Sequence, residues 1–292
     1  SYRGLAYYDR QVPGFSSDAY SMARFLASQG IGSVVIDNLG TGDSRVVAPG
    51  TLLSRATYAN AYAQLVAHVR DRLAHGTLAP GLAPVDADRL FLVGVGHSIG
   101  GMILTQVQAD FQPCDACCLL GWATLTVSGL LPGTTLDGAA FARTAPPDGY
   151  LPPVARPQMR QFFYSPAVPA ALITADEQEA TVAPVGLLDG LVPRALCEAA
   201  ARLTCPLYLG FGGACDLTAT PHQEVAAYPV ATSLTLFVQE GAAHCTNFEP
   251  TRLALWQDIA AWVRAKSGQA HGRGRSPFAV SEEPFATQPL VV

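Results

Sequence analysis

The chain has 292 residues, of which 49% are hydrophobic and only 14% charged, and its formal net charge is −5. This composition provides for a large hydrophobic core and excludes a disordered or low-complexity chain. The 18 Lys and Arg residues form no basic cluster, so we expect no nucleic-acid partner. No apolar run approaches the roughly 18 residues that a membrane-spanning helix requires.

The seven cysteines are an odd number in a long chain, which does not indicate a disulfide framework. We therefore expect reduced thiols and a cytoplasmic location. Because the sequence begins at Ser1 without a Met, the alternative of a leader peptide that is removed is left open. Cys114 and Cys117 form a C-x-x-C, but no second pair lies at zinc-site spacing, so we expect no metal.

Strands and helices alternate along most of the sequence. A helix pattern from Asp18 ends at Gly30 and precedes a β-branched strand, and a long Ala-rich helix follows. An apolar strand then runs directly into a helix that starts at Ile99. The predicted strands cover 33–37, 90–95, 116–122, 206–211 and 233–238, and the predicted long helices cover 57–75, 99–109 and 251–265. This alternation predicts an α/β fold with a mostly parallel central sheet and helices on both faces.

Two segments interrupt the alternation. Residues 123–203 are rich in proline and show no clear strand, so we expect an inserted lid or cap on a core formed by 1–122 and 204–266. Residues 267–292 form a Gly/Ser/Pro-rich C-terminal tail. The tail is either a loosely docked terminus or an arm that packs on a neighbouring subunit.

The segment Gly96-His97-Ser98-Ile99-Gly100 has the pattern G-x-S-x-G between the strand 90–95 and the following helix. A serine on such a sharp turn has a strained backbone, and the small flanking residues avoid clashes. The helix N-terminus also offers backbone N–H groups to a developing oxyanion. We therefore predict that Ser98 is a nucleophile.

A serine nucleophile needs a base and a group that orients the base. Asp216 follows the strand 206–211, and His244 follows the last strand and precedes the last helix. The order Ser98, Asp216, His244, with the segment "DNLGTGDS" at 37–44, resembles the α/β-hydrolase superfamily. The resemblance implies a Ser–His–Asp triad with no metal and no organic cofactor.

Other residues could take these roles. His222 is a weaker candidate for the base because it lies only six residues after Asp216. Asp37 and Asp43 are expected to pin turns and loops. The acid could instead follow the strand 116–122, but Trp122 and Ala123 stand there.

The amide of Ile99 is the expected first oxyanion donor. In the family, a buried strand ending in His-Gly precedes the second donor, and Phe15 after Pro13-Gly14 is our candidate for it. No apolar strand stands in front of Phe15. Either that strand is degenerate, or residues are missing before Gly14.

Ser98 as nucleophile implies acyl transfer, and the apolar insertion favours an apolar or aromatic small-molecule substrate. We expect a carboxylic ester or lactone hydrolase. The candidate residues of the substrate pocket are Trp122, Phe162 and Phe163. Trp122 could equally be a residue of the hydrophobic core. The alternatives are a carbon–carbon bond hydrolase, an acyltransferase or thioesterase with the same triad, or a non-catalytic ligand receptor. A homo-oligomer formed through the insertion or the tail is also left open.

Overall fold

The computed structural model describes residues 4–86, 89–127, 146–152, 156–272 and 290–291. The strands are β1 (Asp9–Arg10), β2 (Tyr20–Ser21), β3 (Gly32–Ser33), β4 (Leu92–His97), β5 (Ala116–Leu120), β6 (Tyr150–Leu151), β7 (Ala183–Pro184), β8 (Pro206–Gly212), β9 (Ser233–Gln239) and β10 (Leu290–Val291). The α-helices are α1 (Gly4–Tyr8), α2 (Met22–Ser28), α3 (Arg55–Ala74), α4 (Ile99–Phe111), α5 (Arg156–Phe163), α6 (Ala170–Gln178), α7 (Cys197–Ala200), α8 (Pro221–Glu224) and α9 (Arg252–Gly272).

The central sheet has six parallel strands in the order β3-β10-β4-β5-β8-β9. Two short antiparallel pairs, β1 with β2 and β6 with β7, lie outside this sheet. The parallel sheet confirms the predicted α/β class. Because all its strands run the same way, the loops that follow β4, β5, β8 and β9 emerge at one edge, where ligand sites of such sheets form.

Each face of the sheet carries its own hydrophobic core. Side chains alternate between the faces along a strand, so Cys117 and Leu119 pack with α3, α4 and the insertion on one side. Cys118 and Leu120 pack with α2 and α9 on the other side. Both faces are thus covered, which explains why β5 is apolar at every position.

Several boundaries differ from the sequence predictions. Helix α2 begins at Met22 instead of Asp18, because the Ser21 Oγ accepts the Arg24 amide and caps it. The strand predicted over 33–37 shortens to Gly32–Ser33, since β10 pairs with it only at this level. Helix α9 runs to Gly272, so the first residues of the predicted tail are helical.

The C-terminal tail enters the central sheet. Leu290 and Val291 pair with β3 on one side and with β4 on the other, so these two residues of the predicted tail form a strand of the sheet. Residues 273–289 and 292 of the tail lie outside the described residues. Among the described helices, none is both long and apolar enough to span a membrane.

Residues 123–203, the predicted insertion, are tied to the rest of the chain by buried acidic side chains. The Glu224 carboxylate accepts the backbone amides of Thr124, Leu125 and Thr126 at 2.6, 2.8 and 3.1 Å. The Arg10 guanidinium also donates a hydrogen bond from its Nη2 to the Asp176 Oδ1, at 2.9 Å. These buried contacts fix both the entry into the insertion and its helix α6 on the core.

Candidate active site

Ser98 stands alone between β4 and α4, with φ 55° and ψ −122°. This positive φ is a strained conformation for a residue with a side chain. A Cβ on Gly96 would collide with the Gly100 carbonyl, so this position needs glycine. A Cβ on Gly100 would meet no atom within 4 Å, so the predicted steric reason holds for Gly96 and not for Gly100.

The elbow is anchored to the neighbouring strand. The Ser98 amide donates a hydrogen bond to the Leu120 carbonyl of β5 at 2.8 Å. The Ser98 side chain is half-buried. Ile99 is the first residue of α4, so its amide has no acceptor within the helix. That N–H is therefore suited to donate a hydrogen bond to an oxyanion that develops beside Ser98.

Asp216 and His244 form a buried pair at the same sheet edge. The His244 Nδ1 and the Asp216 Oδ1 are 2.6 Å apart, and the side chains are 1% and 0% exposed. The Asp216 carboxylate also accepts the amides of Gly212 and Leu217, each at 2.7 Å. These amides come from the end of β8 and the turn after it, so the strand fixes the carboxylate that orients the imidazole.

His97 and Tyr7 connect the elbow to the histidine loop. The His97 Nε2 lies 2.7 Å from the His244 carbonyl oxygen, and the two rings have centroids 4.6 Å apart. The Tyr7 ring stacks on His97 with centroids 4.2 Å apart. Burial raises the pKa of Tyr7 well above its ordinary value, so this phenol stays neutral. The sequence predicted no role for either residue; His97 was noted only as part of the elbow motif.

Gly121 provides the space in which the two imidazoles lie. Its φ is 55°, and a Cβ there would come within 3.0 Å of His97 Nε2 and 3.1 Å of His244 Cε1 and Nδ1. Any side chain at this position would press on both rings. Sequence analysis placed Gly121 inside the predicted strand 116–122 and assigned it no role, whereas the strand ends at Leu120 in the structure.

The insertion packs on His244 directly. The Phe162 ring lies 4.6 Å and the Phe163 ring 5.9 Å from the His244 ring, centroid to centroid. The His244 and Cys245 amides donate to the Phe162 and Phe163 carbonyls at 3.1 and 2.9 Å. Both phenylalanines are nearly buried, so they support the histidine loop, which sequence analysis did not anticipate.

Glu249 joins the same loop to the insertion. Its buried carboxylate accepts the Ser165 hydroxyl at 2.5 Å and the Ser165 amide at 2.8 Å. It also accepts the amide of Ala243, the residue before His244, at 3.1 Å. The position of His244 therefore depends on the insertion as well as on the sheet.

The remaining predicted residues lie as follows. Trp122 is 1% exposed and packs against Gly101 of α4, which places it in the core. The Asp37 carboxylate accepts hydrogen bonds from the amides of Leu5 and Asp43, which confirms the loop-pinning prediction for Asp37. His222 lies in α8, in a depression that it shares with Asp216.

Phe15 is not a free oxyanion donor. Its amide donates to the Val12 carbonyl at 3.1 Å in a turn, and its ring packs edge-on against Tyr20. The N-terminal segment that contacts the elbow is α1, through Tyr7. The prediction that the Phe15 amide is an oxyanion donor was wrong, because this N–H is already bonded within a local turn.

The fold and this site define a member of the alpha/beta hydrolase family, and the chain belongs to it: the model of that family matches residues 12–254. No curated protein matches the sequence. Solved structures with the same fold include a methylesterase from Arabidopsis, at 18% identity and TM-score 0.55, over 84% of this chain and 92% of that one. A monoacylglycerol lipase from Paleococcus ferrophilus is similar at 16% identity and TM-score 0.57, over 86% and 90% of the two chains.

Proposed function

We propose that this chain is a serine hydrolase that cleaves a carboxylic ester or lactone of an apolar or aromatic compound through an acyl-enzyme. One observation carries the proposal: the buried His244–Asp216 pair, 2.6 Å apart, emerges at the sheet edge that also holds the strained Ser98. An imidazole oriented by a carboxylate beside a serine is the arrangement that activates a weak hydroxyl nucleophile.

In the proposed reaction, the Ser98 Oγ attacks the carbonyl carbon while the His244 Nε2 takes the hydroxyl proton. Asp216 holds the ring and stabilises its positive charge. The Ile99 amide donates to the oxyanion of the tetrahedral intermediate. His244 then protonates the departing alcohol oxygen. In the second half, His244 takes a proton from the water that attacks the acyl–Ser98 ester and returns it to the Ser98 Oγ as the carboxylic acid leaves. No step uses a metal or an organic cofactor.

The substrate class rests on the insertion and on the structural neighbours. The described part of the insertion contributes buried apolar side chains to the core cluster that also contains Phe162 and Phe163, among them Leu172, Val185 and Leu188. This apolar composition supports a substrate with little charge. The neighbours include a methylesterase and a lipase, whose names place both among the ester hydrolases. A thioesterase domain from the curacin pathway has the same fold at TM-score 0.51, so thioesters belong in the test.

A fluorophosphonate probe tests the nucleophile. We expect covalent labelling at Ser98, none in Ser98→Ala, and unchanged labelling in Ser28→Ala, a matched control on the exposed face of α2. A hydrolysis screen over apolar esters, lactones, thioesters and β-diketones then identifies the bond. Turnover of esters or lactones supports the proposal. Absence of labelling would indicate a ligand receptor, and a preference for thioesters or β-diketones would contradict the ester assignment.

Single and double variants test the joint action of the site. Ser98→Ala and His244→Ala are each expected to lower kcat on the order of 10⁴–10⁶-fold, and the double variant should be no slower. His75→Ala, whose side chain is 70% exposed, is the matched control and should retain full activity. A double variant far slower than either single variant would show independent action and refute the triad.

A further inference from the structure

Three of the seven cysteines meet on one face of the central sheet, and all seven are free thiols. Cys117 lies in β5 and pairs with Gly94 of β4 and with Leu207 of β8. Cys114 and Cys117 are buried in one hydrophobic core, and the half-buried Cys205 packs against that core directly before β8. A Cβ on Gly94 would lie 3.0 Å from the Cys114 Sγ, so this sulfur covers the residue that pairs with Cys117. We call Cys114, Cys117 and Cys205 the thiol cluster.

Hydrogen bonds hold the thiol cluster together. The Cys117 thiol hydrogen-bonds with the thiols of Cys114 and Cys205. The buried Gln108 side chain of α4 donates to the Cys114 carbonyl at 3.0 Å and accepts from the Cys114 amide at 3.2 Å. The same side chain hydrogen-bonds to the Cys205 sulfur. Helix α4 therefore fixes two members of the cluster around the third, which the sheet holds.

The thiols of the cluster differ in exposure and in acidity. Cys205 is half-buried, whereas Cys114 and Cys117 are buried. Burial raises the pKa of the Cys117 thiol well above its ordinary value, whereas the hydrogen bond with Cys117 lowers the pKa of Cys205. The Asp115 carboxylate opposes this lowering, but the Arg70 guanidinium pairs with that carboxylate at 3.0 Å. Because the thiolate is the reactive form of cysteine, the accessible thiol of the cluster is also the one that ionises more readily.

We propose that Cys205 is a peroxide-reactive thiol and that Cys117 resolves it, so that hydrogen peroxide or an organic hydroperoxide produces a Cys117–Cys205 disulfide. The Cys205 thiolate first attacks one peroxide oxygen: an S–O bond forms, the O–O bond breaks, and the second oxygen leaves as hydroxide or alkoxide. The Cys117 sulfur then attacks the Cys205 sulfur, so that the S–S bond forms and the S–O bond breaks. The hydroxyl leaves with the Cys117 proton as water. The two thiols together lose two electrons, which the peroxide gains.

The thiol cluster lies at the end of the strands opposite the candidate active site. Three residues of strand, about 10 Å, separate Cys117 from Leu120, whose carbonyl accepts a hydrogen bond from the Ser98 amide. Cys205 likewise lies before the first residue of β8. The disulfide would close residues 118–204 into a loop that contains the whole predicted insertion. The proposal therefore concerns a second site and does not depend on the hydrolase activity.

Mass spectrometry of the full chain tests the proposal. The reduced protein is treated with one equivalent of hydrogen peroxide at neutral pH, then denatured and alkylated with iodoacetamide. We expect a species in which five of the seven thiols are alkylated, and a peptide pair joined by a Cys117–Cys205 disulfide. A disulfide between Cys205 and Cys114 instead would assign the resolving role to Cys114 and overturn the proposal. Oxidation that yields only sulfinic or sulfonic acid, with no disulfide, would equally overturn it.

Single variants separate the two roles. Cys205→Ser should form disulfide more slowly by about tenfold or more, and Cys117→Ser should accumulate a sulfenic acid at Cys205 that dimedone traps. The hydroxyl introduced at position 117 can still donate a hydrogen bond to the Cys205 sulfur, so the first step is retained. Cys197→Ser, at another half-buried cysteine, is the matched control and should form the disulfide at the wild-type rate.

Two results from these variants would contradict the proposal: disulfide formation in Cys205→Ser as fast as in the control, or no dimedone adduct at Cys205 in Cys117→Ser. Near-UV circular dichroism shows whether each variant is folded, and the peptide map of the unmodified chain decides the matter for a variant that is not. These readouts need no catalytic turnover, so their outcome is separate from that of the hydrolase proposal.

Discussion

Replacing Gly121 by alanine should damage the site by two separable effects. The first is backbone strain, because a φ of 55° costs an alanine about 1–2 kcal/mol relative to glycine. The second is crowding, because the new methyl group would lie 3.0–3.1 Å from the rings of His97 and His244. Ordinary contacts begin near 3.5 Å, so these rings must retreat by roughly 0.4 Å.

The expected cost to activity follows from that displacement. A misplacement of about 1 Å at a reacting group can lower the rate 10²-fold. For a smaller shift of the base, we expect kcat to fall by about 10-fold or more in Gly121→Ala, with a matching loss in the rate of fluorophosphonate labelling. The strain alone should lower the free energy of unfolding by about 1–2 kcal/mol, which a denaturant titration measures.

Gly81→Ala is the matched control. Gly81 also has a positive φ, 76°, but a Cβ there would meet no atom within 4 Å. This variant should lose a similar amount of stability and keep full kcat. If Gly121→Ala loses no more activity than Gly81→Ala, the rings are not held against residue 121, and the proposed origin of the geometry is wrong.

Three further variants extend these tests. Asp216→Asn replaces the carboxylate beside His244 with an amide and should lower kcat up to roughly 10⁴-fold near neutral pH; near-normal activity would remove Asp216 from the triad. Glu224→Gln places an amide group against the three backbone donors that open the insertion, so we expect a loss of about 2–4 kcal/mol by denaturant titration, against almost none for the exposed Glu240→Gln. Phe162→Ala should lower kcat/KM equally for bulky and small esters, because the ring supports His244; a loss confined to bulky esters would return Phe162 to the substrate pocket.

The sequence was most informative where local pattern and structure coincide. The apolar strand 90–95 and the elbow at Ser98 were predicted because strand, turn and helix signals are contiguous there. Asp216 and His244 were predicted from their positions after strands, and the structure brings them together.

The features that were missed depend on residues far apart in the chain. Glu224 accepts amides about one hundred residues away, and Glu249 joins Ser165 to Ala243. Neither contact produces a local sequence pattern, because a single sequence does not distinguish a buried acidic residue from one at the surface. The strand β10 pairs with residues about two hundred positions earlier, and its two residues carry no signal of their partner.

The hydrogen bonds of His244 and His97 assign opposite tautomers to two neighbouring imidazoles. A carboxylate and a carbonyl oxygen only accept, so the proton lies on Nδ1 in His244 and on Nε2 in His97. The two rings, with centroids 4.6 Å apart, should therefore give distinct ¹⁵N resonances, protonated at different ring positions. The unprotonated nitrogen of His244 is therefore Nε2, so its ¹⁵N resonance reports on the atom that would take the Ser98 proton in the proposed reaction.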